Sequence, residues 1–445
     1  MRAARSIPFA SAILIYSLCQ QAQAYKLYDE DDGATFLNAE LMGAVGFFTL
    51  NRNYLGDPDR NPSRMNWQEG IIKYGFSGAT DKIPAGSVYG GFSLLSTGSF
   101  GDGDPGGVTA GNEHATTVEE AYIGWRSGEM FPALGQDGVD LSIGRQLAAT
   151  DSFMVVEDGF SPGNAFNPDP NLPYGSFDRG GAYTLGMRLA FANTVVLRLG
   201  GDEGLHGDLM WIKSNNRIEG EAEFAVTNID YTTDFGTIGT TYIQGLDVNK
   251  KWVQGVTAER DSLKAYSIRG ESRLGIENAD FAFEVALQNN KGRTENGMYF
   301  DVGYTFADAF WKPLLSFRQS RFSKDWDPIF PGGYRKRFPG EVGAGYAGPT
   351  TNNYKTNDVF LSLHPTDDLS LNAQYFVFTQ LSDRDKGDMG GKELDLSVDW
   401  MATENIVVSP LIGFFKPNRW LGNGGLQSGD DSIATLMQLT VWFTY

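Results

Sequence analysis

Cysteine and histidine are nearly absent from this chain of 445 residues, which holds one Cys (Cys19) and three His (His114, His206 and His364). So few soft or imidazole ligands leave little for a zinc centre, haem ligation or a thiol nucleophile. A disulfide framework is excluded with them. Basic residues are scarce too: 36 Lys and Arg stand against 55 Asp and Glu, a formal charge of −19. That balance argues against nucleic acid, whose phosphates need a basic surface. Also missing is a long apolar run, since no stretch reaches the roughly 18 residues of a membrane-crossing helix. What remains is 41% hydrophobic, 13% aromatic and rich in glycine, with 55 Gly, too apolar for a disordered chain.

The N-terminus reads as an address. Arg2 and Arg5 precede an apolar stretch from Ile7 to Leu18, and Ala22-Gln23-Ala24 supplies small residues for cleavage. Residues 1–24 are therefore expected to be a secretory signal peptide, and residues 25–445 one domain. The sole cysteine would leave with the signal.

Period two runs through the rest. Tyr183, Leu185, Met187, Leu189 and Phe191 share a face, as do Phe281, Phe283, Val285 and Leu287. So do Met298, Phe300, Val302, Tyr304 and Phe306; Leu394, Leu396, Val398 and Trp400; and Met437, Leu439, Val441, Phe443 and Tyr445. The intervening positions are polar, charged or small. Strands of a soluble sandwich usually run five or six residues. Alternation over about ten, apolar outward and polar inward, is the outer-membrane pattern. The expected fold is all-β: a transmembrane antiparallel up-and-down β-barrel of about 18 strands in the outer membrane of a Gram-negative bacterium.

Connections set the count. Short turns are expected at 78–86, 128–138, Asn193, 234–236, 277–278, 307–308, 366–368 and 403–405. Long Gly-, Pro-, Asn- and Asp-rich loops are expected at 51–66, 100–116, 149–180, 202–219, 248–260, 291–296, 323–354, 382–391 and 417–431. Leu209 to Lys213 falls inside one of these loops, because a further strand would make the count odd.

The polar faces then line a lumen. Its bases are Lys73, Arg188, Arg198, Arg269, Arg273, Lys312 and Arg318; its acids are Glu69, Glu120, Glu271, Glu284, Asp301, Glu393, Asp395 and Asp399. Arg188 and Arg198 flank the turn at Asn193, Arg269 and Arg273 straddle Glu271, and Glu393, Asp395 and Asp399 form an acidic strip. Such charges either pair across strands and stiffen the wall, or form a selectivity path in which an Arg ladder attracts an anionic solute. The loops 149–180 and 323–354, the second carrying Arg335-Lys336-Arg337, are the gate candidates.

Catalysis finds only weak support. Glu119 and Glu120 fall on opposite faces of a strand, and Asp395 and Asp399 lie about 13 Å apart along one, too far for paired glycosidase carboxylates. No Ser-centred elbow or phosphate loop occurs, and no cofactor or metal is expected. Gly101-Asp102-Gly103-Asp104 and Asp430-Asp431 read as solvated loop ahead of calcium ligands.

A succession of short signatures resembles the bacterial alginate-export outer-membrane family: Gly144-Arg145-Gln146, Phe338-Pro339-Gly340-Glu341, Lys392-Glu393-Leu394-Asp395-Leu396, Gly413-Phe414-Phe415-Lys416-Pro417, and the closing strand through Phe443 to Tyr445. The resemblance implies an 18-stranded barrel passing an anionic polyuronate outward through an Arg-rich constriction. It would work without a cofactor, its opening controlled by loops or periplasmic export proteins. Arg145 is the constriction residue that carries over. Parity sets it beside Leu141 and Ile143, so either a bulge turns it inward or it sits at the rim. The chain departs from the family at Leu147 and Ala148, and at Ser409, Pro410 and Leu411. The leading expectation is a passive channel for an anionic polysaccharide or acidic sugar, embedded in outer-membrane lipid. The alternatives are an uptake porin for small nutrients and a non-conducting barrel, either enzyme or anchor.

Overall fold

A computed structural model describes residues 25–445 apart from 31–33, 53, 55–63, 84, 106–108, 159–164, 168–175, 179, 183, 187, 202, 331–339, 348–351, 426 and 428. The expected signal segment, and Arg335, Lys336 and Arg337, lie outside the described residues.

Strands run in chain order as β1 (Tyr25–Asp29), β2 (Phe36–Leu50), β3 (Met65–Thr80), β4 (Ser87–Gly101), β5 (His114–Arg126), β6 (Val139–Gln146), β7 (Ala165–Asn167), β8 (Ser176–Asp178), β9 (Phe191–Leu199), β10 (Gly204–Lys213) and β11 (Glu223–Thr233). They continue as β12 (Gly236–Asp247), β13 (Lys264–Ser272), β14 (Ala279–Asn290), β15 (Arg293–Thr305), β16 (Leu314–Phe322), β17 (Tyr354–Thr366), β18 (Leu369–Gln380), β19 (Gly391–Thr403), β20 (Ile406–Pro417) and β21 (Ala434–Thr444). Each of β2–β6 and β9–β21 pairs antiparallel with its sequence neighbour, and β21 returns to β2 from Met42↔Thr444 to Leu50↔Leu436. The result is a closed barrel of 18 strands. Closure matters in lipid because every backbone amide and carbonyl must find a partner within the sheet. β1 pairs with the start of β2 just beyond the reach of β21, and Tyr25 stacks on Tyr445 with ring centroids 6.4 Å apart. β7 and β8 form a small hairpin within the long β6–β9 connection.

Period two translates into the two faces as expected. Phe300, Val302, Tyr304 and Phe306 are exposed on the outer wall, as are Leu394, Leu396, Trp400, Met437 and Leu439. Tyr299, Glu284, Glu393, Asp395 and Thr440 on the alternate positions are buried.

The alternation from Tyr183 to Leu189 is not a strand. Its described residues precede β9, and Leu185 is buried in a core inside the barrel. Asn193 sits within β9, opposite Lys213. One residue cannot reverse the chain, whereas Gly200 and Gly204, both at positive φ, bracket the actual turn. Leu209 to Lys213 accordingly belongs to β10. Losing one strand and gaining another leaves the count intact.

Two irregularities redirect side chains. At the middle of β5, Ser93 pairs with Glu120 and Leu94 with Val118, so Glu119 is the extra residue of a bulge. Glu119 is buried within the barrel, and Glu120 bonds Lys73 of β3 and Ser93 of β4 there, correcting the opposite-face expectation. At the end of β6 the register with β9 slips between Gly144 and Gln146. Gly144 has φ 135, and a Cβ there would lie 2.3 Å from the Ala121 carbonyl oxygen.

The barrel interior carries two apolar cores. One joins Phe48, Trp67, Ile71, Phe376, Phe378 and Phe415 of the wall to Leu185, Val342 and Tyr346 of inward loops; the other joins Phe191, Phe224, Val226 and Ile243 to Phe153, Trp326 and Phe330. Phe48 stacks on Trp67 at 5.0 Å, and Phe330 meets Phe191 edge-on at 4.9 Å. Thus the inner face is polar in its lower part, while beneath the loops apolar patches alternate with buried carboxyls.

Candidate functional site

A loop folded into a barrel brings backbone amides with no strand to pair with, and these must be satisfied. Four wall carboxylates do so in the same way. Glu69 of β3 accepts from the amides of Thr184 (3.1 Å) and Leu185 (2.9 Å). Glu119 accepts from Leu189 (2.8 Å) and Ala190 (2.9 Å). Glu284 of β14 accepts from the Ser152 hydroxyl (2.6 Å) and the Phe153 amide (2.9 Å). Glu393 of β19 accepts from Val342 (2.7 Å) and Gly343 (2.6 Å). The first three hold the 147–190 loop and the fourth the 323–353 loop. Gly343 permits the approach, since a Cβ there would sit 2.6 Å from a Glu393 oxygen. Charge-assisted bonds of this kind are about twice as strong as neutral ones.

The two loops are also tied to each other. Val155 bridges Phe330 in parallel, with Val156 N donating to Phe330 O (2.9 Å) and Phe330 N to Met154 O (3.0 Å). Thr184 and Tyr346 share a hydroxyl–hydroxyl bond of 2.9 Å. From the β12–β13 connection, Arg260 grips Asp327 through two bonds of 2.8 and 2.7 Å, Glu219 at 2.7 Å, and the Ile329 carbonyl at 3.1 Å. These anions, acting against the cost of burial, raise the Arg260 pKa above its ordinary value. Sequence reading overlooked Arg260, whose neighbours look like any solvated loop.

The expected Arg ladder is not assembled. Arg269 is buried and bonded to Asp230, to Thr241 (2.7 Å) and to Asn228 (2.8 Å). Arg318 lies against Asp301 at 2.8 Å and over the Tyr299 ring. Arg198 faces Asp208 at 3.6 Å, and Lys73 faces Glu120 at 2.6 Å. Arg273 and Lys312 leave the lumen altogether, each in an exposed short turn, because β13 ends at Ser272 and β16 begins only at Leu314. Glu271 keeps its place in β13, half-buried opposite Thr237 and Ala282. Arg188 belongs to the inward loop, with Nε 3.6 Å from Glu119 and its guanidinium donating to the Val118 carbonyl at 3.2 Å. Burial lowers the Arg188 pKa, opposed by the Glu119 charge. Arg145 donates to the Glu119 carbonyl at 3.0 Å and acts electrostatically on Arg188, so the irregularity at Gly144 brings it to the inner loop.

The acidic strip is real. Asp395 accepts the Glu341 amide at 3.2 Å, and Asp399 accepts from Asn372 and Ser409, both at 2.8 Å. Asp102 and Asp104, weighed above as calcium ligands, instead accept the amides of Asn66 (2.8 Å) and Thr109 (2.5 Å).

No protein-family model and no curated protein matches the chain. Solved structures do. A BenF-like porin from Pseudomonas fluorescens Pf-5 aligns with TM-score 0.57 at 8% identity over 94% of this chain and 99% of its own. OccD3 (OpdP) of Pseudomonas aeruginosa aligns with TM-score 0.53 at 11% identity, covering 95% and 94%. OccAB4 of Acinetobacter baumannii gives 0.54 at 9% over 92% and 98%. The chain shares their fold, a closed antiparallel barrel of 18 strands. At such identities the likeness fixes the fold, and it lends the alginate-export family in particular no support.

Proposed function

We propose that this barrel is a passive, selective channel for small solutes, admitting nutrient-sized molecules and favouring neutral or cationic ones over polyanions. The observation that carries the reading is the pair of inward loops, fastened to four wall carboxylates and to each other. A lumen occupied in this way suits monomers, not a uronate polymer. One similar solved structure, described as a BenF-like porin, supports the same class of function. The charge preference rests on what pairing leaves over. Lys73, Arg198, Arg269 and Arg318 are each matched by an acid, while Glu69, Glu284, Glu393, Asp395 and Asp399 have no base among their hydrogen-bond partners. These carboxyls lie buried in the wall and beneath the loops, so they act on a permeant through the field they leave in the lumen, which raises the local concentration of cations and disfavours anions.

Proteoliposome swelling tests the reading. Arginine and glucose should enter several-fold faster than glucuronate, and a uronate oligomer should be excluded. Passage of the oligomer at the rate of its monomer would overturn the proposal.

A further inference from the structure

The lipid-facing wall carries a charge pattern that its own chain does not neutralise. Near the outer ends of β19 and β20, Lys392 and Lys416 are direct cross-strand partners, both exposed, one alternate position above Leu394 and Phe414. Near the outer ends of β16 and β17, Arg321 and Lys355 are likewise direct partners, above Phe317 and Val359. Two like charges opposite each other on one sheet face are destabilising. Two such pairs within five strands, on a chain with a net charge of −19, call for an anion.

Internal compensation is partial. Arg321 donates to Asn296 at 2.6 Å, and Lys416 reaches Asp431 at 3.3 Å. Lys355 and Lys392 have no ion-pair partner among the described residues. Their positions in the β17–β18 and β18–β19 registers place them two strands and two residues apart, about 12 Å by strand spacing and rise. Elsewhere on the outer rim no further pair of directly opposed cations is seen among the described residues: Lys264 of β13 faces Gln244 and Asn289, and Lys213 of β10 pairs with Glu223 at 3.2 Å. Thr49 bonds Asn66 at 2.9 Å, and Ser96 bonds Thr116 at 2.8 Å.

We infer that the outer edge of β16–β20 is a binding site for the phosphorylated headgroup of an outer-leaflet glycolipid. Lys355 and Lys392 hold the phosphates, and the apolar residues beneath receive the acyl chains. The position selects lipid over a soluble anion, because the cations border the acyl-facing belt and do not open into the lumen. Each cation at a membrane surface contributes about fivefold in affinity for an anionic lipid.

Native mass spectrometry of the detergent-extracted barrel, titrated with bisphosphorylated lipid A, tests the site. Lys355→Gln with Lys392→Gln should weaken binding roughly 30-fold, whereas Lys355→Arg with Lys392→Arg should retain it. Lys82→Gln, in the β3–β4 turn at the opposite end, should change nothing. Heat-modifiable gel mobility verifies that every variant is folded. Unchanged affinity in the double Gln variant, or equal binding of fully dephosphorylated lipid A, would overturn the inference. Displacement of the lipid by inorganic phosphate as readily as by lipid A would overturn its assignment to a membrane headgroup.

Discussion

The two halves of the barrel interior solve the same problem differently. Toward the periplasmic turns, wall charges answer wall charges across neighbouring strands: Arg198 with Asp208, Arg269 with Asp230, Arg318 with Asp301. Toward the outer loops, wall carboxylates answer backbone amides, and aromatic residues fill the space between. The lower arrangement makes a rigid tube. The upper one docks two segments that have no strand partners of their own, so its stability is separable from that of the sheet. A carboxylate receiving two amides is at once a structural bond and a release point, because losing it leaves both donors buried and unpaired.

Arg260→Ala should separate the halves most sharply. It removes the guanidinium that grips Asp327 and Glu219, leaving the buried Asp327 without that ion pair. Breaking a buried pair from one side costs about 3–5 kcal/mol. We expect the outer loops to become protease-sensitive while the barrel keeps its folded gel mobility. Loss of the barrel itself would show that the halves are not separable.

Glu393→Ala comes next. Two amides lose their acceptor, about 1–3 kcal/mol, and the 323–353 loop should loosen around Val342 and Gly343, weakening the Thr184–Tyr346 tie to the 147–190 loop. In planar bilayers the single-channel conductance should rise severalfold with frequent flicker, and Glu284→Ala should do the same through the other loop. The lower-half variant Arg198→Ala should alter selectivity slightly and leave conductance steady.

Protons test the docking next. Burial pushes the Asp158 carboxyl up to about 8, reinforced by Glu219 and Glu119 against Ser214 and Arg145. Burial likewise pushes Glu157 up to about 7, with the Glu119 charge adding to it. A carboxyl raised by docking is protonated when docked and ionised when released at intermediate pH. Docking is therefore strongest below pH of about 4 and weakens as pH climbs toward 8. Open-channel noise should grow over that interval, and Asp158→Asn should flatten the dependence. A flat wild-type profile would show that the loop stays docked however Asp158 titrates.

The wall was legible in the sequence because lipid imposes a strict contrast between its faces. Phe300, Val302 and Tyr304 alternate with Tyr299, Asp301 and Gly303, and Tyr299, aromatic but inward, is the exception that marks a core. The filling was not. Leu185 and Leu189 alternate as a strand would, yet the partner imposing that pattern is the lumen wall. Glu393 and Asp395 were singled out correctly as inward, but nothing in their spacing announces that an amide pair 50 residues upstream would claim Glu393. Arg273 and Lys312 failed for a simpler reason: parity was extended past the ends of β13 and β16.

That overextension yields the smallest expected effect, and the cleanest check on which charges face the permeant. Arg273 stands in the β13–β14 turn, and Lys312 in the β15–β16 turn, 62% exposed and 4.0 Å from Asp367. Surface charges this open are screened within about 8–10 Å in physiological salt. The reversal potential under a potassium chloride gradient should therefore stay unchanged in Arg273→Ala with Lys312→Ala. Asp395→Asn with Asp399→Asn, which neutralises two lumen carboxylates, should shift it toward the anion side. A shift of equal size in the turn variant would move the selective region from the strip on β19 to the periplasmic mouth.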